Sequence, residues 1–126
     1  MVNFASERSC AETTMEALET KTIRTVIMIA EGVPQRDVRK IAKIAKEKNK
    51  WVIGPATVGG IKPGCFKIGN AAGTIQNIKD TKLYRPGSVG FVSVSGGLSN
   101  EGYNIVAQNT DGIYAVSYTH LTLPTN

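Results

Sequence analysis

The chain has 126 residues, of which 41% are apolar and 20% charged, and its formal net charge is +5. This composition is ordinary for a globular protein and argues against intrinsic disorder, and the length allows one small domain or pieces of two. Basic residues concentrate in 36–50, where they alternate with apolar positions, so the pattern indicates the solvated face of a helix rather than a nucleic-acid site. The longest apolar run, 26–30, is too short to cross a bilayer.

The two cysteines, Cys10 and Cys65, do not have the spacing of metal ligands. Residues 1–9 lack the apolar core of a signal peptide. We therefore expect a cytoplasmic protein of a reducing compartment, with both thiols free and with neither a membrane nor a nucleic acid as its partner.

The first half of the chain alternates short apolar runs with amphipathic segments. The run 23–29 is continuous and rich in β-branched residues, which predicts a buried parallel strand, and Pro34 suits the first turn of the helix that follows. Strand, helix and strand in this order make a βαβ unit. The predicted elements are a strand end in 2–5, a helix over 7–19, a strand over 23–29, a helix over 34–48 and a strand over 51–53.

The second half is predicted from fewer and weaker signals. A loop rich in Gly and Pro occupies 54–64, and residues 73–80 give only a weak pattern. Strands are predicted over 65–68 and 88–93, followed by a helix over about 98–108. The hinge-like turn Arg85-Pro86-Gly87 before a fresh strand favours a domain boundary close to residue 83.

The last eleven residues, 116–126, carry no charge and show no clear period. They look like one translated frame of a common sequencing-library adaptor, so we exclude them from the fold as a non-native tail. A divergent native tail is the alternative. The exclusion removes His120, the only histidine of the chain, from consideration as a catalytic base or metal ligand.

Residues 93–101 carry the first candidate site, because small residues there join a predicted strand to a predicted helix. The free N–H groups and dipole of a helix N-terminus form an anion site suited to phosphate or carboxylate. Ser95, Gly96 and Gly97 would let the ligand approach the backbone closely. The alternative is a tight structural turn, with Ser95 as the N-cap and Glu101 on the surface.

Two further segments follow predicted strands and therefore lie at the carboxyl edge of the sheet, where open α/β sheets bind ligands. In 54–64 the Gly and Pro residues could equally set the turns of a structural Ω-like loop. In 29–32, Glu31 could accept hydrogen bonds from a ligand or could merely favour the next helix N-terminus. No dinucleotide fingerprint, Walker-type loop or Cys-x-x-Cys motif is present.

At these segments the sequence resembles the ATP-citrate lyase family, within the succinyl-CoA synthetase α-subunit superfamily. The resembling stretches are 1–6, 29–34, 53–70, 82–89 and 95–101, and together the likeness runs over about residues 1–115. One segment is similar to the lyase family rather than to succinyl-CoA synthetase, namely Pro55-Ala56-Thr57-Val58-Gly59-Gly60. One departure is Val94, which stands where the family usually has a basic residue. The loss of that positive charge would weaken a contact to phosphate.

The resemblance implies an α/β fold. Residues 1–82 would be the C-terminal half of a Rossmann-like CoA-binding domain, with a parallel sheet, and 83–115 the start of a flavodoxin-like ligase domain. The family forms acetyl-CoA and oxaloacetate from citrate, CoA and ATP, with Mg²⁺, through a phosphohistidine and citryl-CoA. Its other parts are missing from this sequence, so we expect the fragment alone to be inactive. The rest of the enzyme, or a partner subunit in a homo- or hetero-oligomer, would be required.

The resemblance also suggests roles for individual residues. Glu101 would orient the phosphorylated histidine, and the turn Ser95-Gly96-Gly97 would cradle the phosphate. Ile29, Ala30 and Glu31 would contact CoA, and no metal ligand is expected. The alternatives are an acyl-CoA ligase subunit like succinyl-CoA synthetase α, or a non-catalytic Rossmann module that senses CoA or a nucleotide.

Overall fold

The computed structural model describes residues 1–118, which divide into two compact units. The first unit comprises Met1–Thr57 and the second begins at Val58. The second unit starts there because the strand that follows Val58 pairs with the last strand of the chain. This division lies well before the boundary expected near residue 83, so 58–82 fold with the segment that follows them. The assignment of 1–82 and 83–115 to two functional domains stays a prediction.

The first unit contains the predicted βαβ alternation. Its elements are β1 (Val2–Asn3), α1 (Glu7–Glu19), β2 (Thr25–Met28), α2 (Gln35–Glu47) and β3 (Trp51–Ile53). The three strands form one sheet in the order β1-β2-β3, and both pairings are parallel. Pro34 lies at the N-cap of α2 rather than in its first turn, and the helix begins one residue later.

The core of this unit lies between the sheet and its two helices. In β2, Val26 and Met28 are fully buried, as the continuous apolar run predicted. On α2, Ile41 is buried and Ala42 is exposed. The buried cluster consists of Cys10, Ala11, Ala17, Leu18, Val26, Met28, Ile41 and Ala45.

A buried amide fixes the end of β1 to α1. The Asn3 side chain donates hydrogen bonds to the Cys10 carbonyl at 3.1 Å and to Thr14 Oγ1 at 2.9 Å, and it accepts one from the Ala5 N–H at 2.9 Å. Asn3 is only 3% exposed, so these bonds satisfy polar groups that water does not reach.

The second unit contains two strands that the sequence did not predict. Its elements are β4 (Gly59–Lys62), β5 (Phe66–Gly69), α3 (Ile75–Asp80), β6 (Pro86–Ser93), α4 (Gly96–Asn109) and β7 (Ile113–Tyr118). The sheet order is β5-β4-β7-β6, with β4 antiparallel to both neighbours and β6 parallel to β7. Strand β4 lies inside the segment 54–64 that was predicted as a loop. Its two glycines give only a weak strand signal, and pairing with the neighbouring strands overrides that weak preference.

The core of the second unit gathers α4 against β6 and β7. The Phe91 ring meets the Tyr103 ring edge-on, with centroids 6.1 Å apart and an interplanar angle of 88°. Gly102 permits this approach, because a Cβ there would lie 2.6 Å from Phe91 Cζ. The buried cluster consists of Ile61, Ala72, Leu83, Tyr103, Ala107 and Ile113.

Strand β7 extends into the segment 116–126 that was excluded from the fold. The backbone of 116–118 pairs with Gly59–Ile61 on one side and with 91–93 on the other. Ladder bonds to two neighbouring strands place the backbone of these three positions in the sheet, while the non-native origin expected for 116–126 stays a prediction. His120, and the expectation that residues 121 and 123 stay out of the core, lie outside the described residues.

Within 1–118, no helix is long and apolar enough to cross a membrane.

Candidate functional site

The ends of β2 and β3 meet in the first unit, as expected for neighbouring parallel strands. The Ala30 carbonyl accepts a hydrogen bond from the Ala56 N–H at 2.8 Å, which joins the segment 29–31 to the start of the 54–64 loop. Ile29 and Ala30 are half-buried, whereas Glu31 is exposed. The Glu31 carboxylate has no hydrogen-bond or ion-pair partner among residues 1–118, so it is free to accept a bond from a ligand.

Gly54 shapes the backbone between these two segments. It has φ +102°, precedes a cis bond to Pro55, and lies so close to Met28 that a Cβ would collide with the Met28 carbonyl oxygen. Only glycine combines this dihedral with so close an approach. The sequence-predicted loop therefore begins with a turn that brings its backbone directly onto β2.

A cavity of about 570 Å³ also lies in the first unit. It is lined by side chains of α2 and β3, together with Met28 and the Gly54-Pro55 pair, and its volume is in the range of small-molecule sites. Of the segments that the sequence suggested as ligand-binding, 54–64 contributes Gly54 and Pro55 to this lining, whereas Ile29, Ala30 and Glu31 do not line it. Ala42 lines this cavity, so its side chain is exposed although it lies on the same helix as buried Ile41.

The second unit contains the turn between β6 and α4. Ser95 occupies the N-cap position, as the alternative of a tight structural turn predicted, but its side chain makes no capping hydrogen bond. Instead, Ser93 Oγ accepts the Ser95 N–H at 3.1 Å, and the Ser99 hydroxyl donates to the Ser95 carbonyl. The amides of 96–98 find no acceptor among the described residues, which leaves them available to an anion.

Glu101 lies on the exposed side of α4, one turn into the helix. Its carboxylate has no ion pair within residues 1–118. This placement suits either a surface residue or a group that meets another part of a larger protein. Glu101 and the turn 95–97 belong to the second unit, whereas 29–31 belong to the first.

Two titratable side chains are buried deeply enough to change their acidity. Burial raises the pKa of the Cys10 thiol, and a hydrogen bond with Thr14 offsets part of that rise. Burial also raises the pKa of the Tyr103 phenol, partly offset by the Ala72 backbone bond and reinforced by the charge of Glu101. Both groups therefore stay protonated at neutral pH.

No group of three or more His, Cys, Asp or Glu residues within 1–118 is arranged to hold a metal ion.

Comparison with known proteins identifies what the chain resembles. Over 114 residues it is 61% identical to a probable ATP-citrate synthase subunit 1 of Neurospora crassa, and over 113 residues it is 62% identical to an ATP-citrate synthase beta chain protein of Oryza sativa. Each alignment covers 90% of this chain. The chain is homologous to one part of ATP-citrate synthase. It spans only 17% and 19% of the lengths of these two relatives.

Solved structures agree with this result. ATP citrate lyase from Methanothrix soehngenii, determined in complex with citrate and coenzyme A, matches 94% of this chain with a TM-score of 0.86 and 62% identity. The match covers 19% of that chain. A dinucleotide-forming acetyl-coenzyme A synthetase from Ca. Korarchaeum cryptofilum, at 17% identity and a TM-score of 0.69, shares the fold alone. No family model matches the chain.

These comparisons confirm the resemblance to ATP-citrate lyase and the α/β fold class with parallel strands. Sequence reasoning missed the buried contact in which the Ala72 N–H donates to the Tyr103 hydroxyl. A tyrosine on the inner face of a predicted helix gives no signal that its hydroxyl meets a distant backbone amide.

Proposed function

We propose that this chain is the part of an ATP-citrate synthase that contacts CoA and contributes a phosphate-binding turn. The parent enzyme, meaning the full-length protein that contains this chain, would form acetyl-CoA and oxaloacetate from citrate, CoA and ATP. The observation that carries the proposal is the 62% identity and TM-score of 0.86 to an ATP citrate lyase determined with citrate and coenzyme A. We place the parent enzyme in the cytoplasm, as an oligomer that supplies acetyl-CoA for lipid synthesis.

We infer that CoA contacts Ile29, Ala30 and Glu31. Their position supports this assignment, since they end a parallel strand at the sheet edge where ligands bind in open α/β folds. Glu31 is exposed and unpaired within the described residues, so it can accept a hydrogen bond without first breaking another.

In the parent enzyme, Glu31→Ala should raise the KM for CoA about 3- to 10-fold, as loss of one ligand hydrogen bond does, and leave the KM for citrate near normal. Glu12→Ala is the matched control, because Glu12 is also an exposed, unpaired carboxylate but lies on α1. Equal increases in both KM values, or the same increase in the control, would reject the contact.

We further infer that the turn Ser95-Gly96-Gly97 holds a phosphoryl group. A phosphoryl group carries about two negative charges, and the unpaired amides of 96–98 can stabilise them without a mobile cation. Val94 supplies no positive charge there, so the backbone would contribute most of the attraction.

Glu101 is proposed to orient a histidine supplied by another part of the parent enzyme. A histidine nucleophile needs one ring nitrogen fixed so that the other presents its lone pair, and a carboxylate that accepts the N–H provides this. The exposed and unpaired carboxylate of Glu101 fits the role.

In the parent enzyme, Glu101→Gln should slow formation of the phosphoenzyme by about 10²-fold, with CoA binding near normal. Gln108→Ala, an exposed change on the same helix, should leave the rate unaltered. Rapid-quench measurement of phosphate incorporation checks both variants, and a normal rate in Glu101→Gln would remove Glu101 from the mechanism.

ATP and Mg²⁺ are assigned to the parent enzyme as a whole. Within residues 1–118 no cluster of carboxylates fits a metal ion, so no step is attributed to these residues through Mg²⁺. We therefore expect the isolated 126-residue chain to make no acetyl-CoA from citrate, and ATP-dependent turnover by the pure fragment would contradict this.

A further inference from the structure

The hydroxyl of Tyr103 joins α4 to a loop far away in the sequence. Tyr103 is fully buried, and its hydroxyl accepts a hydrogen bond from the Ala72 N–H at 2.5 Å. The same hydroxyl donates to Asn100 Oδ1, one turn earlier on α4. The raised pKa of the phenol keeps it protonated, so it can accept and donate at the same time.

The loop that Tyr103 contacts has a backbone conformation that L-residues rarely adopt. Ala72 has φ +64° although it is not glycine, and it is 1% exposed. Such a conformation persists only where the surroundings hold it. Here the Asn77 side chain donates to the Ala72 carbonyl at 3.0 Å, while Tyr103 holds the Ala72 amide.

The other side of this loop reaches the start of α4. The amides of Asn70 and Ala71 both donate to the Val58 carbonyl, at 2.8 and 2.9 Å. The Val58 side chain in turn lies beside Gly96, where a Cβ would be 3.5 Å from Val58 Cγ1. The contacts thus close a ring that runs from Tyr103 through Ala72 and Val58 to the first residue of α4.

We propose that Tyr103 is a positioning residue that holds the first turn of α4 in place through the loop 70–73 and Val58. This inference rests on the proposed function of that turn in binding a phosphoryl group. Without the hydroxyl, the buried Ala72 amide has no partner and the strained loop relaxes. Val58 then shifts against Gly96, and the amides of 96–98 lose their alignment.

If Tyr103 served core packing alone, its ring would be required and its hydroxyl would not. Tyr103 also packs its ring against Phe91, and that contact needs no hydroxyl. Tyr103→Phe removes the hydroxyl and keeps the ring, whereas Phe91→Leu weakens the ring contact and keeps the hydrogen bond. The two variants therefore separate positioning from packing.

The first measurement is amide hydrogen exchange on the 126-residue chain, which does not depend on any catalytic role. Tyr103→Phe should accelerate exchange about 10-fold or more at 70–73 and at Ser99, whose amide donates the first hydrogen bond of α4 to the Ser95 carbonyl, relative to the rest of the second unit. Phe91→Leu should accelerate exchange across the second unit without that local excess. Unchanged exchange at Ser99 in Tyr103→Phe would overturn the proposal.

The second measurement is the rate of phosphoenzyme formation in the parent enzyme. Tyr103→Phe should lower this rate between 10- and 100-fold, as small misplacements of catalytic groups do, with the KM for CoA unaltered. Phe91→Leu should phosphorylate normally, and an equal loss in both variants would overturn the proposal. If exchange responds as expected but Tyr103→Phe phosphorylates at the wild-type rate, the proposed phosphate-binding function of the turn has failed and the positioning has not.

Discussion

Substituting Gly54 tests whether the close contact between the 54–64 loop and β2 determines the stability of the first unit. An alanine Cβ at this position would collide with the Met28 carbonyl oxygen and lie 3.3 Å from both the Met28 carbonyl carbon and Cβ. Met28 is fully buried in the middle strand of its sheet, so its backbone has no room to retreat. Gly54 also has φ +102°, which disfavours alanine whatever the available space.

The expected loss in free energy of unfolding for Gly54→Ala is the sum of two contributions. Placing an L-residue at positive φ costs about 1–2 kcal/mol, and forcing extra volume into a packed region costs about 1–3 kcal/mol. Gly54→Ala should therefore destabilise the first unit by about 2–5 kcal/mol, which is a large share of the about 5–15 kcal/mol typical of a folded domain.

Gly32→Ala supplies the matched control in the same unit. Gly32 also has positive φ, +75°, but the atom that its Cβ would meet is Glu7 Oε2 at 2.7 Å, the far end of an exposed and flexible side chain. Because Glu7 can move aside, only the dihedral term remains, and the loss should be about 1–2 kcal/mol.

Urea unfolding followed by far-UV circular dichroism measures both variants, with helices α1 and α2 reporting on the first unit. With a slope of about 1–3 kcal/mol per molar urea, Gly54→Ala should lower the midpoint by about 1 M or more, and clearly further than Gly32→Ala. Equal midpoints for the two variants, or a larger loss for Gly32→Ala, would refute the reasoning.

Four further outcomes concern buried groups. A thiol reagent at pH 8 should modify exposed Cys65 at once and buried Cys10 only at the rate of unfolding. Because the pKa of Cys10 is raised in the folded chain, its contribution to stability should be fully present below the unfolded pKa of 9.0 and be lost as pH rises from there through the higher folded pKa. Cys10→Ala should weaken this pH dependence of the urea midpoint. Leu83→Ala should cost about 2–5 kcal/mol with an unchanged urea slope, since Leu83 is fully buried. Asn3→Ala should cost about 1–3 kcal/mol by leaving buried partners unpaired, and a midpoint equal to wild type would contradict its bonding role.

The sequence predicted those elements whose signals are local. The apolar run at 23–29 anticipated β2, and the amphipathic pattern after Pro34 anticipated α2. The strand, small-residue turn and helix that became β6 and α4 were also evident, because neighbouring residues alone set strand and helix periodicity. Glu31 could be named because it follows a predicted strand, whereas Glu101 was named as a candidate only through the family resemblance.

Tertiary structure decided what depends on distant partners. Strand β4 forms only because β5 and β7 supply ladder bonds on its two edges, and the same pairing moves the compact division to Val58 and draws 116–118 into the sheet. The hydroxyl of Tyr103 meets an amide 31 positions away, and that contact was equally invisible in the sequence. Local patterns determine which segments can become helices or strands. Pairing and burial between distant segments determine which weak segments do so, because those contacts offset the entropy of ordering them.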